Sequence, residues 1–458
     1  LLPLMSLPVI LIFDVGKTNK KIFLFDEQYN IVYEESIQLE ETKDEDGFPC
    51  EDIHALTEWI KTSTDHLLAK KEFQVKAINF SAYGASMVHL GDSGKLLTPL
   101  YNYLKPFPEK LKEQFYSNYG SESALAKQTA SPVLGSLNSG LQLYRLKYER
   151  PEIYNQIKCS LHLPQYLSFI LTSKAACDIT SIGCHTHLWN FKKNDYHDWV
   201  YKEKLNLKFP SIYACDKVTN ITKHRRKISA GVGLHDSSSA LIPYLLKFTK
   251  PFVLLSTGTW CISLNPFNHS ALGDYELHND CLCYLSFQGK PVKASRLFAG
   301  YEHEQQIKRI AEYFNVKNDF YKTIRFEQSQ WKQLLQKQSS NENKNESAMI
   351  SQLAFKEHDL NAFENFTEAY YQLMSDIVEQ QINSTKLILN KEIRTIFVDG
   401  GFNKNDTYMH LLADAFSEMK VYATNIPQAS AYGAALAIHK HWNKNALPDN
   451  LIQLKQIA

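Results

Sequence analysis

Val9 to Phe13 is an unbroken apolar run and Lys21 to Phe25 carries a second, with a short polar segment around Gly16 between them. Two short apolar runs about a glycine turn predict a β-hairpin. The segment "IVYEESIQLE" predicts a third strand. From Asp52 to Leu68 apolar residues recur at helical spacing behind an acidic start, and "VKAINFSAYG" then predicts a strand ending in glycine. Strands followed by helices predict an α/β architecture. Glu109 to Leu171 is largely helical in pattern, punctuated by Pro132, Pro151 and Pro164. This half closes on "ISAGVGLHDSSSALIPYL", a glycine-rich turn running into a helix.

The pattern then begins again. In "KPFVLLSTGTWCISLNP" apolar runs flank another small-residue turn, and Asp14-Val15-Gly16 can be laid over Ser256-Thr257-Gly258. The match is short, yet it suggests two related halves. A boundary near Lys247 to Lys250 gives an N-terminal domain over 1–247 and a C-terminal domain over 248–458. Within the second, the polar stretch 336–347 predicts an exposed loop. Leu360 to Leu389 predicts a long helix, "RTIFVDGG" a strand, Asp406 to Met419 a helix, "KVYAT" a strand and "ASAYGAALAIHK" a final helix.

At 458 residues the chain is longer than one hydrophobic core usually supports. Its net charge of +1, with 22% charged and 44% apolar residues, leaves no electrostatic footprint for nucleic acid or anionic lipid. Eight dispersed cysteines are too sparse for a disulfide-stapled secreted domain, which points to a reducing cytoplasm. The opening "LLPLMSLPVILIF" lacks a basic leading segment and a cleavage signature, so it reads as a buried strand and no membrane association is expected.

Phosphate groups are held by backbone N–H donors at tight glycine turns, assisted by hydroxyls and cations. In the first turn Gly16 permits the bend, Thr18 and Asn19 are polar donors, Lys17, Lys20 and Lys21 bring charge, and Asp14 could hold a water-coordinated Mg²⁺. In the second, Thr257, Gly258 and Thr259 offer a neutral cradle. Each alone reads better as a plain hairpin tip, and together the two favour a shared ligand. No G-x-x-x-x-G-K-[ST] loop occurs, and no G-x-G-x-x-G opens a strand-to-helix turn in the first domain. In "GVGLHDSSS", Asp236 admits two readings: an N-cap, or a general base taking the proton of an attacking hydroxyl.

Five segments, "DVGKTNKK", "GLHDSSSA", "STGTW", "VDGGFNKN" and "ASAYGAALA", occur in the order found in FGGY carbohydrate kinases, and the chain resembles that family over almost its whole length. The resemblance implies a two-domain actin-like ATPase fold, each domain on a ribonuclease-H-like core, with sugar and ATP in an interdomain cleft. It implies that Asp14 serves Mg²⁺, Gly16 and Lys17 to Lys21 line the first phosphate turn, and Gly258 and Thr259 reach the nucleotide phosphates. Asp236 becomes the catalytic base. Gly400, Gly401 and Asn405 approach the adenosine, with Gly433 and Ala434 keeping the next helix close. "GLHDSSSA" and "STGTW" look most like the rhamnulose and fuculose branch, which makes Gly84, His235, Asp236 and Ser237 sugar-binding and Gln305 nucleotide-contacting. Three positions depart on the sugar side: Tyr83 in place of glutamine, "YNYLKPFP" in place of a tryptophan, aspartate and arginine segment, and Leu297 in place of asparagine.

Other constellations favour plain readings. Cys184, His185 and His187 in "GCHTHLW" are expected to alternate along a packed strand rather than bind zinc. Cys281 and Cys283 lack zinc-knuckle spacing, "QIKRIAEYF" predicts an amphipathic surface helix, and Tyr101 and Tyr103 predict packing. The resulting expectation is ATP- and Mg²⁺-dependent phosphorylation of a primary hydroxyl on a rhamnulose- or fuculose-like ketose. The competing readings are a kinase for xylulose or another pentulose, an actin-like nucleotide switch with no sugar acceptor, and a family member without activity. The partners expected are the sugar and ATP, and a homodimer is left open.

Overall fold

The computed structural model describes residues 6–332, 354–426 and 428–457. The stretch 336–347 and Gln333 to Leu353 around it lie outside the described residues, as do Leu1 to Met5. The chain forms two compact units: Leu1–Thr249 with Cys283–Pro291 and Pro427–Leu451, and Lys250–Leu282 with Val292–Ile426 and Ile452–Ala458. Among the described residues no helix is long and apolar enough to cross a membrane.

The first unit is built on the strand Leu7–Val15. Val9 to Phe13 are fully buried, as expected of a central strand covered on both faces. It pairs antiparallel with Lys20–Asp26, which pairs antiparallel with Ile31–Ile37, and on its other side it runs parallel to Phe73–Ala82. Arg226–Gly231 and Leu234–His235 continue the parallel side. The helix Ile53–Ala69 starts where the Asp52 carboxylate accepts from the amides of His54 and Ala55, and its Leu56, Ile60 and Leu67 face the core. Register gathers the polar segments. Asp14 sits opposite Lys21 and Ser81, Ser81 opposite Leu234, and Ala82 opposite His235, so Gly16, Tyr83 and Asp236 leave the sheet at one end.

The second unit repeats this order. Val253–Thr257 pairs antiparallel with Cys261–Asn265, which pairs antiparallel with Pro291–Leu297, and it runs parallel to Thr395–Gly400, itself parallel to Lys420–Asn425. The two hairpins at Gly16 and Gly258 therefore take the same place in their sheets. Cys281 and Cys283 are buried in the strand Cys281–Leu285. The helix Ala299–Tyr313 buries His303, Ile307 and Ile310 along one face, matching the amphipathic reading of "QIKRIAEYF".

Three expectations change. The stretch Leu360–Leu389 divides into a short turn at Leu360–Ala362 and the helix Phe366–Lys386, because Asp359 and Asn365 each cap their own start. The helix Ala429–Ala437 belongs to the first unit. There a Cβ on Gly433 would lie 1.8 Å from the Ser239 carbonyl, and the Asn79 amide donates to the Ala434 carbonyl at 2.7 Å. Gly433 thus lets its helix meet the helix Asp236–Lys247, and Ala434 ties it to the central sheet. Cys184, His185 and His187 do not form a strand: the chain is irregular from Gly183 to Leu188, with His187 at φ +59°, and pairing begins only at Trp189.

Candidate active site

In the first unit the turn closes with the Gly16 amide donating to the Asn19 carbonyl at 3.0 Å. Lys17 reaches outward to Glu41 at 2.6 Å, Thr18 is exposed, and Asn19 accepts from the Gln38 side-chain amide. Lys21 shares its row with Asp14 and donates to Gln428 Oε1 at 3.1 Å. Lys20 departs from expectation. Strand alternation turns it to the opposite face, where its Nζ lies 2.6 Å from Glu51 Oε1, with both side chains 3% exposed. It is not brought to the open side of the turn.

Asp14 Oδ2 accepts from the Ser430 hydroxyl at 2.7 Å. Burial raises its pKa to about 6 despite the hydrogen bonds from Ser430 and Ser81, and the charge of Asp236 adds to the rise. Two carboxylates are therefore held within electrostatic reach of each other. Hard oxygen donors that repel one another suit a divalent cation, so the residues present fit Mg²⁺ held through water.

Asp236 is the first residue of the helix Asp236–Lys247, and His235 occupies the cap position. The Asp236 carboxylate accepts from the Ser237 amide at 2.6 Å, so it does local helix-start bonding and still faces outward. Its side chain is 36% exposed while that of His235 is 4% exposed, which leaves Asp236 accessible beside a buried imidazole 3.3 Å away. Burial lowers the His235 pKa, offset in part by Asp236. Ser237 Oγ lies 3.3 Å from the same carboxylate oxygen. A Cβ on Gly84 would lie 2.9 Å from His235 Cδ2, so a glycine is required for this turn to approach the imidazole.

The sugar-side departures have structural work of their own. Tyr83 is buried and its hydroxyl donates to Glu51 Oε2 at 2.8 Å, so Lys20, Glu51 and Tyr83 form one chain beneath the first turn. In "YNYLKPFP", Tyr103 packs edge-on against Tyr83, Tyr101 donates to Glu45 at 2.6 Å, and Lys105 pairs with Asp44 and Asp46. Leu297 is 3% exposed in the core of the second unit.

The second unit has a cavity of about 490 Å³ lined by Gly258, Gly401, Phe402, Asn405, His303 and Tyr321 among others. Its size and mixed apolar and polar walls suit a nucleoside. His303 packs edge-on against Phe402 and Tyr321 at 5.3 and 5.0 Å, and burial lowers its pKa to about 4, so this imidazole is neutral, while Lys322, Arg325 and Lys404 bring positive charge to the same cavity. Asn405 caps the helix Asp406–Ala415 through Tyr408 and donates to the Tyr370 hydroxyl at 2.6 Å. The Gly258 amide donates to the Trp260 carbonyl at 2.9 Å, leaving Thr259 exposed at the tip. Gly400 adopts φ +82° with its Cα over the Thr257 carbonyl, and the Gly401 amide donates to that carbonyl at 2.7 Å. Gln305, on the helix Ala299–Tyr313, is not among the residues lining the cavity.

Sequence reasoning missed Ser430, His303, Tyr321 and Phe402. Phe402 follows the glycine pair directly and could have been found from it; the others reach their places only through long-range packing.

Comparison with known proteins agrees with this architecture. The model of the FGGY family of carbohydrate kinases, N-terminal domain, matches residues 9–241, and that of the FGGY C-terminal domain matches 249–446. A rhamnulokinase of Halalkalibacterium halodurans is 26% identical over 262 residues, 54% of this chain and 52% of that protein. The match thus spans about half the length of this curated relative. Among solved structures, a carbohydrate kinase from Novosphingobium aromaticivorans superposes with a TM-score of 0.78 at 20% identity, covering 99% of this chain and 94% of that one. A xylulose kinase from Lactobacillus acidophilus gives 0.76 at 16% identity, covering 98% and 92%. A gluconate kinase from the same organism gives 0.75 at 18%, covering 98% and 93%. With both family models matched in sequence order across both halves, the chain belongs to the FGGY family of carbohydrate kinases.

Proposed function

We propose that this protein transfers the γ-phosphoryl group of ATP to a primary hydroxyl of a ketose, with Asp236 as the general base. One observation carries the reading: an accessible carboxylate, fixed by the Ser237 amide, stands beside buried His235 and within electrostatic reach of Asp14. In this reading the Asp236 carboxylate accepts the hydroxyl proton as the sugar oxygen bonds to phosphorus and the bond to the ADP oxygen breaks. Phosphoryl transfer leaves little covalent work to the protein, so positioning and charge compensation dominate. His235, Ser237 and Gly84 bound the acceptor side. Lys17, Thr18, Asn19 and Lys21 with the Gly16 turn, and Gly258 with Thr259, are assigned to the phosphates, while Gly400, Gly401 and Asn405 frame the adenosine. Mg²⁺, when bound, offsets phosphate charge, and Asp14 would hold it. Closure against water is expected, since an open site would hydrolyse ATP.

A rhamnulose- or fuculose-like deoxyketose is the favoured acceptor, supported by "GLHDSSSA" and "STGTW" and by the match to a rhamnulokinase. A pentulose such as xylulose is the second reading, since a xylulose kinase shares the fold. A coupled ADP assay across rhamnulose, fuculose and xylulose separates the two. Asp236→Asn should lower turnover on the accepted sugar by about 10²- to 10⁴-fold while leaving MgATP affinity nearly unchanged. Wild-type turnover in that variant removes the base assignment, and no sugar-dependent ADP release with any ketose removes the function.

A further inference from the structure

The irregular segment after Gly183 brings together groups that a strand would have held apart. The Cys184 thiol and the imidazoles of His185 and His235 each offer one ligand atom, all within 4.8 Å of one another, and all three residues are buried. They meet over Gly84, whose absent side chain leaves the space open: a Cβ there would stand 3.0 Å from His235 Nε2 and 3.3 Å from Cys184 Sγ. On the far side of the His235 ring, Ser238 Oγ lies 3.5 Å from Nδ1 and donates to the Leu285 carbonyl, an outer contact of the kind that orients a ligating imidazole. Asp236 Oδ1 lies 3.3 Å from His235 Nε2, beside the cluster rather than within it.

We infer that Cys184, His185 and His235 form a binding site for a thiophilic divalent cation, Zn²⁺ in the first instance. One thiolate and two imidazoles suit zinc and do not suit Mg²⁺, so this site is chemically separate from the hard oxygens around Asp14. In the free chain the Cys184 thiol donates to the Ser181 carbonyl at 3.1 Å. Coordination exchanges that hydrogen bond for a sulfur–metal bond and releases one proton to solvent. The consequence for activity rests on the proposed kinase reading: a cation here takes His235 away from the acceptor side, making the site inhibitory.

Cobalt(II) serves as the spectroscopic probe, because a thiolate ligand gives a sulfur-to-cobalt charge-transfer band whether or not any sugar is phosphorylated. Titration of the full chain in excess Mg²⁺ should give one equivalent bound with that band, bleached by stoichiometric Zn²⁺. Cys184→Ser should abolish the band, His185→Gln should weaken binding by about 100-fold or more, and Cys177→Ser, a buried thiol elsewhere, should leave it intact. Absence of the band in the wild-type chain, or its survival in Cys184→Ser, overturns the site. If the band behaves as expected while no ketose is phosphorylated, the metal site stands and the kinase reading fails.

Discussion

The turns at Gly16 and Gly258 hold equivalent places in two sheets of the same strand order, yet their surroundings are opposite in kind. Around the first, charged side chains are closely arranged: Lys17 to Glu41, Lys20 to Glu51, Lys21 beside Asp14, and Asp14 near Asp236. At the second the turn itself is uncharged and closely packed, while Lys322, Arg325 and Lys404 line the cavity beside it. Cβ atoms on Gly300 and Gly400 would each stand 1.8 Å from a carbonyl oxygen of the turn, those of Gly258 and Thr257. A charged turn tolerates shape changes but not charge changes, and a close-packed neutral turn behaves the other way round.

The largest effect should come from shape in the second turn. Gly400→Ala places a methyl against the Thr257 carbonyl at a backbone angle, φ +82°, that L side chains rarely adopt, and should destabilise by about 3 kcal/mol or more. Gly16→Ala meets only the Asn19 carbonyl at 3.1 Å without positive φ, and should cost about 1 kcal/mol. Thermal unfolding of the two variants side by side checks this. Equal shifts would end the distinction between a packed turn and a charged one.

Charge is next. Lys20→Met removes the partner of a buried Glu51 and should cost about 3 kcal/mol, the typical penalty for orphaning a buried charge. The double change Lys20→Met with Glu51→Gln should recover much of it, because Tyr83 can still donate to the amide oxygen. A double variant no better than the single would mean that the pair acts through packing rather than charge. Lys17, half-buried and paired to an exposed Glu41, should matter to stability by less than about 1 kcal/mol.

This contrast also explains what could be read from the sequence. The central strands were legible because both sides of Leu7–Val15 are covered, which leaves a continuous apolar run. The turns were legible because glycine, threonine and lysine are uncommon together between buried strands. Lys20 was not, since its role depends on Glu51 and Tyr83, contributed by separate segments. Nor was the path of Ala429–Ala437, which follows most of the second unit in sequence and packs in the first through Gly433. The grouping of Cys184 with His185 was hidden because strand alternation fails where the backbone is irregular, and their partner His235 lies some fifty residues away.

An effect visible only through pH is the most informative about Asp14. Its pKa in the native chain is about 6 against an ordinary 3.8, because burial and Asp236 disfavour the charge. Between those values the unfolded chain loses its proton first, so this group's contribution to stability is complete below about pH 4, declines as pH rises through about 6, and stays low above it. The deficit at neutral pH is on the order of 3 kcal/mol at most, and less to the extent that Asp14 retains contact with solvent. Asp14→Asn, whose side-chain oxygen can still accept from Ser430, should therefore match wild type near pH 4 and exceed it in stability near pH 7.5, measured by urea unfolding without nucleotide or metal. Asp236→Asn should shift the wild-type decline to lower pH by removing one source of repulsion. A carboxylate kept at a cost to folding is expected where charge is needed for binding, as the proposed role at Mg²⁺ requires. Identical pH profiles for Asp14→Asn and wild type would show that the first turn carries no such strain, and the contrast with the neutral second turn would then rest on its lysines alone.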